Sequence, residues 1–206
     1  MTRPILYSFR RCPYAMRARL AVQSAGIEVE LREIVLRDKA PEFLAASPKG
    51  TVPVLVDGGA VIEESRDVMV WALSRHDPEG WLDMPAEGHA LIDQADGPFK
   101  QALDRTKYHT RYEDADPEVE RATAMAWLDT LRPEPWLFGD RPTMADMAIL
   151  PFVRQFAMID KARFDVEASG LVSDWLERFL GSDRFAAIMP KLPKWQAGDA
   201  VTVFPF

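Results

Sequence analysis

The sequence predicts an α/β domain of order β-α-β-α-β-β-α followed by an all-α helical bundle. Short apolar runs alternate with amphipathic stretches as far as residue 78, the pattern of strands joined by helices. From Ala86 onward no segment reads convincingly as a strand, and the periodicity is helical. Pro78-Glu79-Gly80 lies between the two regimes. The expected organisation is therefore residues 1–78, a linker over 79–86, and a helical domain over 87–206.

Ile5 to Phe9 is the first expected strand, and Pro13 to Ala25 the helix that follows it. Ala15, Met16, Ala18, Leu20, Ala21 and Val22 keep the helical period. Pro13 suits a first helical position, where its missing N–H costs nothing, and Gly26 ends the helix. Ile27 to Leu36 reads as a second strand and Pro41 to Ala46 as a short helix. Val52 to Val56 and Ala60 to Glu63 read as a hairpin turning at Asp57-Gly58-Gly59. Ser65 is expected to cap a helix running to about His76. Two parallel strands joined by a helix and followed by a hairpin make a mixed four-stranded sheet. Beyond it, segments near 87–112, 117–132, 143–158, 165–179 and 182–188 carry helical periodicity.

Composition narrows the function. The chain has 206 residues, 48% hydrophobic and 28% charged, with net charge -7 and a pI near 5.1. Nucleic acid therefore has no global electrostatic support as a partner. Basic residues cluster from Arg3 to Arg19, a patch suited to one anionic small molecule. Met1-Thr2-Arg3-Pro4 leads into a short apolar run soon broken by charge, so neither a secretory leader nor a membrane span is expected. Cys12 is the only cysteine and the three histidines lack ligand spacing, so no metal site and a reducing, cytoplasmic setting are expected.

A lone cysteine is commonly a small buried hydrophobe. The context Arg10-Arg11-Cys12-Pro13-Tyr14-Ala15 argues for more. At a helix mouth the free N–H groups and the macrodipole favour an anion, and two arginines add to that field. The thiol is expected to titrate below its ordinary value of ~8.5 and to act as a nucleophile. Ala15 stands where a Cys-x-x-Cys motif has its second thiol, so any redox cycle needs a resolving thiol from solution. Glutathione is the abundant cytosolic one.

Two further junctions carry potential contacts. In Ser47-Pro48-Lys49-Gly50-Thr51-Val52-Pro53, Pro53 opens a strand. A cis Val52–Pro53 bond would offer the Val52 backbone to a peptide; a plain loop-to-strand proline fits the pattern equally. In Glu63-Glu64-Ser65-Arg66, a helix start with Ser65 suits a carboxylate and Glu64 an ammonium, together an amino-acid head group. An ordinary serine cap is compatible with the same residues.

These three blocks, in this order and spacing over residues 4–77, resemble the glutathione transferases, with their thioredoxin-like N-terminal domain and helical C-terminal domain. Tyr7 to Ala15, followed by Arg17-x-Arg19-Leu20, is most similar to the cysteine-type, omega-like members. The resemblance implies a mixed disulfide between Cys12 and glutathione. It also implies that Val52 before a cis Pro53 binds the cysteinyl backbone, and that Glu64 and Ser65 hold the γ-glutamyl end. Lys39 falls where the pattern has a lysine that could meet the glycyl carboxylate, and Tyr14 where it has a phenylalanine. Gly139 to Ala148 resembles the family's helix-start signature, with Thr143 and Asp146 as a capping box. Phe99 to Tyr108 and the region of Trp127 are expected to supply the acceptor pocket, although aromatics at helical spacing serve a core as well. A homodimer is implied.

The expected activity is a glutathione-dependent thiol transferase or reductase acting on a small electrophilic or disulfide acceptor. The alternatives are conjugation of glutathione to small electrophiles, or a non-catalytic binding or interaction module on the same fold.

Overall fold

The structure, a computed structural model, describes residues 3–206. Met1 and Thr2, part of the segment read for a leader, lie outside the described residues. The chain divides into two compact units: the residues up to Gly80 together with Gly181–Phe206, and Trp81–Leu180.

The first unit is built on a mixed sheet of order β4-β3-β1-β2-β5. β1 (Ile5–Ser8) is central, parallel to β2 (Val29–Glu33) and antiparallel to β3 (Val54–Asp57). β3 turns through Gly58-Gly59 into antiparallel β4 (Ala60–Ile62). Both faces of the sheet are covered, as its alternation requires. Tyr7 and Val54 belong to a cluster with Ala15, Ile34, Phe43 and Val52, whereas Leu6 and Leu55, pointing the other way, are fully buried. α1 (Pro13–Ala25) begins with Pro13 and ends at Gly26, which is left-handed with φ 63°. It packs against α3 (Ser65–Leu73), and α2 (Pro41–Ala46) contributes Phe43 to the Tyr7 cluster.

The sheet has five strands, not the expected four. β5 (Val203–Phe204) pairs antiparallel with β2, so the expectation of no strand beyond Ala86 fails. Two residues are too few to show a period, and what makes them a strand is the open edge of β2. Leu31 N–H donates to the Thr202 carbonyl at 2.8 Å, Trp195 N–H to the Glu33 carbonyl at 2.9 Å, and Phe204 is fully buried. The tail, with the short helix α10 (Asp183–Ala187), thus belongs to the first unit rather than to the helical part assigned to 87–206.

The second unit is helical: α4 (Ala86–Gln94), α5 (Lys100–Lys107), α6 (Pro117–Leu128), α7 (Met144–Ala157), α8 (Lys161–Glu167) and α9 (Gly170–Leu180). A π-turn over Ala95–Phe99, containing Pro98, joins α4 to α5. The expected helix over 165–179 is two helices, because the chain is extended at Ala168. Phe99, fully packed against Trp127 and Phe156, belongs to the core of this unit. The capping box of Thr143 and Asp146 is present. Asp146 is fully buried and accepts from Thr143 N–H (2.8 Å), Thr143 hydroxyl (2.9 Å), Leu137 N–H (2.9 Å) and Trp175 Nε1–H (3.0 Å). Burial pushes its carboxyl above the ordinary range, and these donors oppose that.

Asp146→Ala leaves four donors without their acceptor and is expected to cost about 3 kcal/mol, read as a lowered urea midpoint.

Candidate active site

The ladder brings the three sequence blocks together. Tyr7 pairs with Val54 and Ser8 with Glu33, so the end of β1, the end of β2 and the start of β3 share one end of the sheet. Leu55 pairs with Ile62, which places the end of β4 there too. The chain therefore leaves for α1, enters β3 and leaves for α3 at the same edge.

A cavity of about 500 Å³ opens at this edge. Its wall includes all seven residues singled out from the sequence: Cys12, Tyr14, Lys39, Val52, Pro53, Glu64 and Ser65. Leu36, Lys49, Gly50, Thr51 and Glu63, to which the sequence assigns no contact, complete it. Four of those belong to the two quoted blocks, so membership of a block was the available signal. Leu36 was unmarked because it is an exposed apolar residue just beyond a strand.

Cys12 is the N-cap of α1, with extended backbone (φ -74°, ψ 122°) and no side-chain cap bond. Its N–H closes a turn onto the Phe9 carbonyl at 3.0 Å, and its carbonyl accepts from Met16 N–H at 2.9 Å. The half-buried thiol lies 3.8 Å from the Val52 carbonyl oxygen, a sulfur donor distance. The Val52–Pro53 peptide is cis. A thiol-bearing helix start thus faces a backbone carbonyl at the cavity wall.

At the start of α3 the expected cap is displaced by one residue. Glu64 is the N-cap and Ser65 the first helical residue, buried, its hydroxyl accepting from Arg17 Nη1 at 3.4 Å. Ser65 can occupy the helix because Glu64, not Ser65, carries the extended backbone angles. The exposed Glu64 carboxylate holds the Lys49 ammonium, whose own pKa is raised by that hydrogen bond. Behind it, Ser47 hydroxyl donates to Glu63 Oε1 at 2.5 Å. Lys39 lies across Gly50, which has φ 62°; a Cβ at Gly50 would stand 3.0 Å from Lys39 Nζ and 3.2 Å from Leu44 Cδ2.

The N-terminal basic cluster is not the surface patch that the sequence suggested. Arg17 and Arg19 are 1% and 2% exposed, on the inward side of α1, while Arg11 is exposed. In a helix buried over most of its length, charged residues at i and i+2 are drawn in with their neighbours. Arg19 Nη1 donates to Ser8 Oγ and Nη2 to the Arg10 carbonyl, each at 2.6 Å. Among the described residues no group of three His, Cys, Asp or Glu is placed to hold a metal ion, and no helix is long and apolar enough to cross a membrane.

The first unit is thus a thioredoxin-like sheet with a cysteine at the mouth of its first helix, beside a cis-proline. Comparisons with known proteins identify the family. The family described as glutathione S-transferase, N-terminal domain, matches residues 6–80, and its C-terminal domain matches residues 118–178. The chain belongs to the glutathione transferase family. It is 29% identical to glutathione S-transferase U22 of Arabidopsis thaliana over 176 residues, 79% of this chain and 78% of that protein. Its fold is similar to that of glutathione transferase Omega 3C from Trametes versicolor, with TM-score 0.78 and 19% identity over 94% of this chain and 91% of the other. The glutathione transferase URE2P6 from Phanerochaete chrysosporium, solved in complex with oxidized glutathione, has TM-score 0.75 and 17% identity, covering 91% and 94% of the two chains.

Gly50→Ala forces a left-handed alanine against Lys39 and Leu44 and is expected to destabilise the protein by about 1–2 kcal/mol in urea unfolding.

Proposed function

We propose that this chain is an omega-like, glutathione-dependent thiol transferase that works through a mixed disulfide at Cys12. One observation carries the reading: the chain's single thiol stands at a helix start on the wall of the cavity that also holds Val52, Glu64 and Ser65. The relative from Phanerochaete chrysosporium, whose structure holds oxidized glutathione, supports a glutathione-derived ligand.

In this reading the tripeptide lies along the cavity. Its γ-glutamyl carboxylate meets Ser65 and the first N–H groups of α3, where the helix dipole favours an anion. Its ammonium reaches Glu64 and shares that carboxylate with Lys49. The cysteinyl backbone runs beside Val52 at Pro53, as an added strand would. Lys39 meets the glycyl carboxylate, and the Tyr14 ring borders the sulfur.

The chemistry follows from one thiol. The Cys12 thiolate attacks the glutathionyl sulfur of a mixed disulfide RS–SG; a Cys12–SG bond forms, the RS–SG bond breaks, and RS⁻ leaves to take a proton from water. With Ala15 in place of a second cysteine, no internal thiol resolves the adduct. A glutathione thiolate then attacks Cys12–SG, releasing oxidised glutathione and regenerating the Cys12 thiolate. The incoming glutathione sulfur is oxidised from thiolate to disulfide level and the R sulfur is reduced from disulfide to thiolate level, so the electrons balance.

Incubation with oxidised glutathione is expected to add one glutathionyl group to the intact mass, and none to Cys12→Ala. Exchange on a glutathionylated peptide falls to the uncatalysed rate in that variant; near-full activity would overturn the reading and leave conjugation as the chemistry to test. Glu64→Ala is expected to weaken glutathione binding about tenfold by calorimetry, through loss of one charged hydrogen bond.

A further inference from the structure

Cys12 ends a four-residue turn whose bonds reach two buried charges that the exchange chemistry does not use. Arg19, in the second turn of α1, is 2% exposed, and Glu33, the last residue of β2, is 9% exposed. Burying either charge is costly unless it is paired and hydrogen-bonded. Their bonds converge on the backbone of one residue, Arg10. Glu33 Oε1 accepts the Arg10 N–H at 2.7 Å, and Arg19 Nη2 donates to the Arg10 carbonyl at 2.6 Å. Arg19 Nη1 holds Ser8 Oγ at 2.6 Å, the Ser8 carbonyl accepts Ile34 N–H at 2.7 Å, and Cys12 N–H closes on Phe9. From Ser8 to Cys12 the turn is fastened from beneath.

A side chain needed only for packing at this point of α1 would be apolar, like its neighbours Ala18 and Leu20. The turn needs a fork with two N–H bonds and a fixed charge. Arg19 Nε is buried with no hydrogen-bond partner among the described residues. Burial lowers the guanidinium pKa to about 10, while Glu33 and a thiolate at Cys12 act to raise it. Burial in turn raises the Glu33 carboxyl, against the Arg10 N–H and the charges of Arg19 and Arg10.

We propose that Arg19 is a positioning residue for Cys12, holding the Ser8–Cys12 turn through Ser8 and Arg10 and setting a buried positive charge behind the thiolate, with Glu33 as the counter-charge that tempers it. The proposal rests on Cys12 being the reacting thiol. Other charged and titratable groups face Cys12 as well. Arg10 and Arg11 belong to its own turn, and Tyr14 and Arg17 to α1. Lys39, Lys49, Glu63 and Glu64 line the cavity wall. The substitutions below leave all of these in place.

The test is the pH dependence of Cys12 alkylation by iodoacetamide on the full chain, which has no other thiol. Arg19→Gln removes the charge and is expected to raise the midpoint by about one pH unit. Arg19→Lys keeps the charge but not the fork, and is expected to place the midpoint between those of the parent and Arg19→Gln. Glu33→Gln keeps an oxygen for the Arg10 N–H, removes the opposing charge and is expected to lower the midpoint. General loosening of the turn would move Arg19→Gln and Glu33→Gln in the same direction, so opposite shifts support the proposal. An unshifted midpoint in Arg19→Gln, a Lys variant that behaves like Gln, or shifts of one sign overturn it. If circular dichroism shows Arg19→Gln unfolded, Glu33→Gln decides alone, and a midpoint that is unchanged or raised overturns the proposal. Alkylation needs no glutathione, so expected shifts without any glutathionyl adduct would sink the proposed function and leave this inference standing.

Discussion

β1 hydrogen-bonds along both edges, to β2 from Ile5 to Ser8 on one side and to β3 from Ile5 to Tyr7 on the other. A strand so placed has no freedom of register: a slip by one residue would turn Leu6 and Tyr7 to the wrong faces and unpair both ladders. The chain must therefore leave the sheet at Ser8, at a fixed point and in a fixed direction. Everything at the site inherits that constraint. The turn from Phe9 to Cys12, the start of α1, and the position of the thiol relative to Val52 are all measured from the end of β1. The same ladders carry the end of β2 and the starts of β3 and α3 to the same edge, which is why residues fifty positions apart line one cavity.

Charge at that edge is arranged in two layers. The outer layer, Lys39, Lys49, Glu63 and Glu64, lines the cavity; its Lys49–Glu64 pair is exposed, so it contributes little to stability and remains free to exchange partners. The inner layer, Arg19 and Glu33 with Arg17 beside Ser65, is buried and bonded to backbone and hydroxyl partners. The outer charges stay in contact with water, and the inner ones are removed from it. A helix start needs both, because a thiol at an N-cap makes no side-chain cap bond and cannot hold its own turn.

The sequence revealed most where local chemistry was decisive. Pro13 and Gly26 bound α1, Pro41 opens α2, and the Thr143–Asp146 box starts α7, each at the expected place. Strand ends were less legible: β2 stops at Glu33 rather than Leu36, and β3 starts at Val54 rather than Val52. A strand ends where its partner ends, which no local pattern records. The same reason hid β5, and it hid the shift of the α3 cap from Ser65 to Glu64, since a serine before an apolar run reads equally well one position either way.

By itself, the sequence determined which residues could carry chemistry: one thiol before a proline, a proline after Val52, and an acid and a serine at a helix start. Those are properties of side chains and of two or three backbone angles, and they act over a few residues. Only the tertiary structure decided that the three blocks share a cavity, that the arginines of α1 face inward rather than outward, and that the tail completes the sheet. Each of those depends on contacts between residues far apart in the chain, where the pairing of strands and the removal of charge from water, rather than local preference, set the outcome.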